Sequence, residues 1–160
     1  MRTKSEKLII LASRASVLVA VTLLTMKFYA WVMTGSMGIL AALVDSLLDL
    51  CASLINMVAL RYAMEPADKE HRFGHGKAEA LAGLGQATFI ASSAIFLIIY
   101  TIERIINPEL IESPEIGTWV MLVSLGITML LVSYQRYVVK MTGSVAIKAD
   151  SLHYFTDVLT

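Results

Sequence analysis

Between Ala80 and Ile102 the chain carries no charged residue. A helix rises about 1.5 Å per residue, so this stretch exceeds the ~20 residues that cross a hydrocarbon core about 30 Å thick. No water reaches that core to satisfy backbone N–H and C=O groups, so only helices and closed barrels survive there. A barrel strand would alternate apolar and polar residues, and this run does not. It predicts a transmembrane helix.

Four more stretches follow the same rule. The expected fold is all-α, a polytopic transmembrane helix bundle with five segments. They cover about 8–33, 36–62, 78–104, 116–140 and 144–160. Thr34-Gly35-Ser36, Asn107-Pro108 and Thr142-Gly143 supply breaks, and Ser113-Pro114-Glu115 reads as a helix start. Apolar residues make up 57% of the chain, against about 45–50% in soluble domains. The 13 Lys and Arg balance the 13 Asp and Glu, so net charge gives no footing for nucleic-acid binding. Cys51 is the single cysteine and forms no intrachain disulfide. The first apolar stretch is too long for a cleaved signal peptide. The fifth is still running at Thr160 and is expected to be truncated there.

Basic residues alternate from one connection to the next. Arg2, Lys4 and Lys7 precede the first segment; Arg61, Lys69, Arg72 and Lys77 flank the second connection; Arg136, Lys140 and Lys148 flank the fourth. The first connection has none, and the third carries only Glu109, Glu112 and Glu115. The positive-inside rule then places the N-terminus in the cytoplasm of a multi-pass protein.

Against this apolar background, Asp45 and Asp49 interrupt the second segment, and His153 and Asp157 interrupt the fifth. Each pair is spaced i,i+4 and shares one helix face. The second segment enters from outside and the fifth from the cytoplasm. Asp45 and His153 each lie about nine residues in, an advance of about 14 Å. Both pairs are therefore expected near the bilayer midplane. Two carboxylates, an imidazole and a third carboxylate suit a tetrahedral divalent-cation site, and ionisable groups at such depth mark ion pathways. The alternative is that the pairs only glue helices together; three carboxylates without a cation would then repel or carry protons.

A second constellation lies in the loop between segments two and three. Asp68, His71 and His75 read D-x2-H-x3-H, with Gly74 and Gly76 permitting tight bends. The three could share one ion, or be incidental in a solvated loop. Around the two helix starts, Gly35-Ser36-Met37-Gly38-Ile39 and Gly143-Ser144-Val145-Ala146-Ile147 also match. That match is either an inverted-repeat remnant or chance.

Taken together, Ser36–Asp49, the His71–Lys77 loop and Ala149–Asp157 resemble the cation diffusion facilitators, closest to their bacterial ferrous-iron and zinc efflux subgroup. The resemblance implies a bacterial inner-membrane homodimer with six membrane helices and a cytoplasmic domain, exchanging a divalent metal for protons. It implies that Asp45, Asp49, His153 and Asp157 form the transport site, and that Asp68, His71 and His75 form the subgroup's loop site. The sixth helix and the cytoplasmic domain are absent from these residues. The expected function is a secondary transporter, not an enzyme. Its substrate is Zn²⁺, Fe²⁺ or Cd²⁺, and no organic cofactor is expected. The competing reading is a non-transporting membrane metal-binding scaffold or assembly subunit.

Overall fold

The computed structural model describes residues 3–107 and 114–159. Pro108, Glu109, Glu112 and Ser113, expected in the third connection, lie outside the described residues, as do Arg2 and Thr160. Five helices follow in order: α1 Lys4–Thr34, α2 Met37–Ala63, α3 Lys77–Ile106, α4 Pro114–Thr142 and α5 Val145–Leu159. α1 starts ahead of the first apolar residues because Thr3 caps it. Glu6 N–H donates to Thr3 Oγ1 (3.2 Å), and Thr3 N–H donates to Glu6 Oε2 (2.9 Å), a reciprocal capping box.

The two matching sequence breaks fold alike. Gly35 and Gly143 adopt φ of 64° and 70°, left-handed values that cost any residue with a Cβ. Gly35 N–H bonds Trp31 O (2.7 Å) and Gly143 N–H bonds Val139 O (2.8 Å). Ser36 N–H and Ser144 N–H then donate to Thr34 Oγ1 and Thr142 Oγ1, each at 3.3 Å. One Thr-Gly-Ser device therefore closes α1 and α4 and reverses the chain into α2 and α5.

The helices pack as a ring in the order α1, α2, α3, α5, α4, with α4 closing back onto α1. At one end a sealed apolar cluster gathers Ile9 and Ala12 of α1, Leu60 of α2, Val138 of α4, and Ala146 and Ile147 of α5. The start of α1, the end of α2, the end of α4 and the start of α5 thus share that end, and successive helices alternate in direction. α3 and α5 run parallel, because Glu79 Oε1 accepts from Ser144 Oγ where both helices begin.

Polarity is reversed relative to a soluble bundle. Ser13, Ser16, Ser46, Ser53, Asn56, Gln135 and Asp150 are buried, while Leu18, Ile55, Leu84, Phe96, Trp119 and Leu130 are exposed. Small polar residues let helices approach and bond across, and the bulky apolar ones face lipid. α1 to α4 each contain a span long and apolar enough to cross a membrane. α5, 15 residues as described, sits among them.

Candidate metal centre

His153 is the pivot. It is buried on α5, and its Nε2 lies 3.0 Å from Asp49 Oδ1 on α2. One turn along α5, Asp157 Oδ1 lies 4.0 Å from His153 Nδ1. Asp49, His153 and Asp157 each offer a ligand atom, and these atoms lie within 4.8 Å of one another. The ring is packed edge-on by Phe89 of α3 at 5.8 Å and flanked by Tyr154 at 5.6 Å. Those contacts fix the imidazole plane, which a ligand site requires.

Asp45 is the member that this geometry does not draw into contact. It stands one turn along α2 from Asp49, exposed to a cavity of about 590 Å³ that Asp49 and Asp157 also line. Leu23 and Lys27 of α1, Ser36 just ahead of α2, Gly38, Ile39 and Ala42 of α2, residues of α4 from Gly117 to Thr128, and Tyr154 and Val158 of α5 also line it. All these elements belong to the end opposite the apolar cluster. The acids therefore line a cavity on the side of the bundle away from the apolar cluster.

Lys27 belongs to the apolar first segment. It is buried, and its Nζ donates to Ala42 O (3.2 Å) and Ser46 Oγ (2.7 Å) on α2. It places a fixed cation in the wall of the acidic cavity. Nothing in its local sequence separates it from a snorkelling lysine; only the α1–α2 packing does. A buried group on α5 also escaped the sequence reading. Asp150 Oδ2 accepts from Ser16 Oγ and Gln135 Nε2, both at 2.7 Å. Its spacing of three from His153 puts it on the same buried face, a signal that helical periodicity could have given.

The loop triad also comes together. Asp68 Oδ1 lies 3.3 Å from His71 Nδ1, and Asp68 Oδ2 lies 3.5 Å from His75 Nε2. The two imidazole centroids are 4.5 Å apart, and Tyr62 packs on His75 at 4.4 Å. Asp68 and His71 are exposed; His75 is buried. His75 Nδ1 faces Glu65 O at 3.4 Å. A carbonyl only accepts, so this contact suits the tautomer with its proton on Nδ1, which turns Nε2 toward Asp68 as a ligand atom. The His71 backbone N–H bonded to Asp68 Oδ1 holds that carboxyl below the usual range, and the Glu70 N–H (2.9 Å) adds to it. Gly74, at φ 77°, makes the bend between the histidines.

A ring of membrane helices enclosing a polar, carboxylate-rich floor defines a polytopic ion-handling membrane protein. The cation efflux transmembrane domain model matches residues 13–160, and the chain belongs to that family, one of transporters rather than enzymes. Curated relatives include the cation-efflux pump FieF of Pectobacterium carotovorum, 51% identical over 96% of this chain and 51% of its own length. The FieF of Serratia proteamaculans is 48% identical over 99% of this chain and 53% of its own. That of Cronobacter sakazakii is 50% identical over 96% and 51%. The chain spans about half the length of the curated relatives it matches.

Proposed function

We propose that the chain is the membrane part of a divalent-cation efflux transporter that exchanges Zn²⁺, Fe²⁺ or Cd²⁺ for protons across a bacterial inner membrane. One observation carries this reading. His153 Nε2 and Asp49 Oδ1 are 3.0 Å apart, and a hydrogen bond between an imidazole nitrogen and a carboxylate oxygen needs one proton between them. A metal ligated by both atoms must displace that proton. Metal and proton therefore compete for one position, the requirement for exchange. Asp157 and the cavity-facing Asp45 complete a four-ligand set of one nitrogen and three carboxylates. Such a set suits Zn²⁺ and its neighbours better than Mg²⁺ or Ca²⁺.

With the N-terminus in the cytoplasm, the apolar cluster of Ile9, Leu60 and Ile147 closes the inner face and the cavity opens outward. This is the geometry of a release state: external protons reach His153 and Asp49 and expel the ion. Opening of the inner seal would then load metal against a low internal proton activity. The loop triad Asp68, His71 and His75 sits at the cytoplasmic end and offers an independent surface site. A sixth helix, a cytoplasmic domain and a homodimer belong to the same reading.

The test is flux. Full-length protein in proteoliposomes should accumulate Zn²⁺ under an imposed pH gradient, and Asp49→Ala or His153→Ala should abolish it. Saturable metal binding with no gradient-dependent flux would favour a metal-binding scaffold instead.

A further inference from the structure

Unsatisfied polar atoms cluster in the bundle, and not at the candidate metal centre alone. Asn56 Oδ1 and Nδ2, Gln86 Nε2, Gln135 Oε1 and Asp150 Oδ1 are buried with no hydrogen-bond partner among the described residues. Their side chains are at least nine-tenths buried, at 2%, 5%, 0% and 0% exposure. An orphaned buried polar atom is costly and uncommon in a native structure, so a concentration of them calls for a ligand.

These atoms share one height. The parallel helices α3 and α5 are pinned at Glu79 on Ser144, at Gly83 against Val145, and at Phe89 on His153. Gln86, midway between Gly83 and Phe89, therefore stands level with Ala149 and Asp150. On α2, Asp49 meets His153 and Ser53 Oγ meets Tyr154 Oη at 2.8 Å, while Leu60 enters the cluster of Ala146 and Ile147. Asn56 lies between those contacts on the same buried stripe. Gln135 of α4 and Ser16 of α1 bond each other at 2.9 Å and both bond Asp150. Each of the five helices thus contributes one member: Ser16, Asn56, Gln86, Gln135 and Asp150. The layer lies between the Asp49–His153 contact and the apolar seal.

We infer that this layer is a transit site for a divalent cation that retains part of its water shell, the step between the cytoplasm and the membrane metal centre. This inference rests on the transport reading above. The free acceptors are a carboxylate oxygen and two amide oxygens, hard donors suited to a hydrated divalent ion. Waters kept on the ion donate outward, and the Asn56 and Gln86 amides each carry an oxygen that can accept from them. One formal charge and no imidazole make the site weak. A transit site has to be weak, because an ion held tightly would not move on. The layer becomes reachable from the cytoplasm when Leu60 and Ile147 part.

Two measurements on the full-length protein test it. In a background with Asp49→Ala and Asp68→Ala, which disables the other two sites, Asn56→Asp adds a second carboxylate to the layer. Equilibrium dialysis with Mn²⁺ should then show one further ion per chain at submillimolar concentration, and no gain of binding overturns the inference. This readout needs no flux, so it stands apart from any failure of the transport reading. In the otherwise unaltered protein, Asn56→Leu and Gln86→Leu should each slow Zn²⁺ export from the cytoplasmic side about tenfold while Cd²⁺ affinity at Asp49 and His153 stays within twofold. Unchanged export would make the layer plain helix glue and overturn the proposal. If the leucine variants fail to fold, the Mn²⁺ stoichiometry of Asn56→Asp decides alone.

Discussion

Asp49→Asn separates a cation site from a packing contact, because the two readings predict opposite signs for stability. Asparagine keeps the shape of the side chain and a carbonyl oxygen that still accepts from His153 Nε2, now 3.0 Å from Asp49 Oδ1. Only the charge is lost. Ligand atoms of Asp49 and Asp157 lie within 4.8 Å. At an effective dielectric of about 20, two ionised carboxylates at that distance repel by about 3.5 kcal/mol. Without metal, Asp49→Asn should therefore raise the thermal midpoint by several degrees, at about 2–4 °C per kcal/mol for a chain of this size. With metal that advantage shrinks to a small remainder. An ion at a hundred times its Kd stabilises wild type by about 2.7 kcal/mol, and the variant should lose most of that gain. The assay is the thermal midpoint of detergent-solubilised protein at pH 9, with and without Cd²⁺. A variant that is less stable without metal, yet keeps the full Cd²⁺ gain, would refute the reasoning and leave a packing contact.

Three further outcomes follow from the same geometry. Acidification should empty the loop site, because protons and metal compete for the same ligand atoms. Asp68 has its pKa lowered by the His71 N–H, so its charged form remains present above its own depressed value and is lost only below it; Zn²⁺ titrations across pH 4–8 on a His153→Ala background check this. Gly143→Ala meets no neighbouring atom but keeps φ at 70°, so it should cost about 1–2 kcal/mol from backbone strain alone, read as a lower thermal midpoint with unchanged metal affinity. Tyr154→Phe removes the partner of Ser53 Oγ at 2.8 Å and should destabilise by about 1–3 kcal/mol; an unchanged midpoint would mean that Ser53 finds another acceptor.

The periodicity of apolar residues was enough to specify helices, because in lipid every backbone group must be bonded within its own segment. The same logic made Asp45, Asp49, His153 and Asp157 conspicuous, since charge in such a run is rare. Equal depth for the two pairs also followed from rise per residue and charge alternation. What sequence could not show was which atoms touch. Asp45 and Asp49 look equivalent on paper, yet α2 packs so that Asp49 meets His153 and Asp45 faces the cavity. Nothing in the first segment likewise shows that α1 turns Lys27 onto Ser46.

Sequence alone therefore determined the solvent, the helices and the candidate ligands, because these depend on local chemistry and on the repeat of a single helix. The ring order α1, α2, α3, α5, α4 decided the rest. Ring order depends on side-chain packing between segments far apart in the chain. It sealed one end with Leu60 and Ile147, opened the other onto Asp45, and set Ser16, Asn56, Gln86, Gln135 and Asp150 at one height. Apart from Asp150, none of those residues is unusual in its own helix. They form a layer only because the bundle brings five faces together.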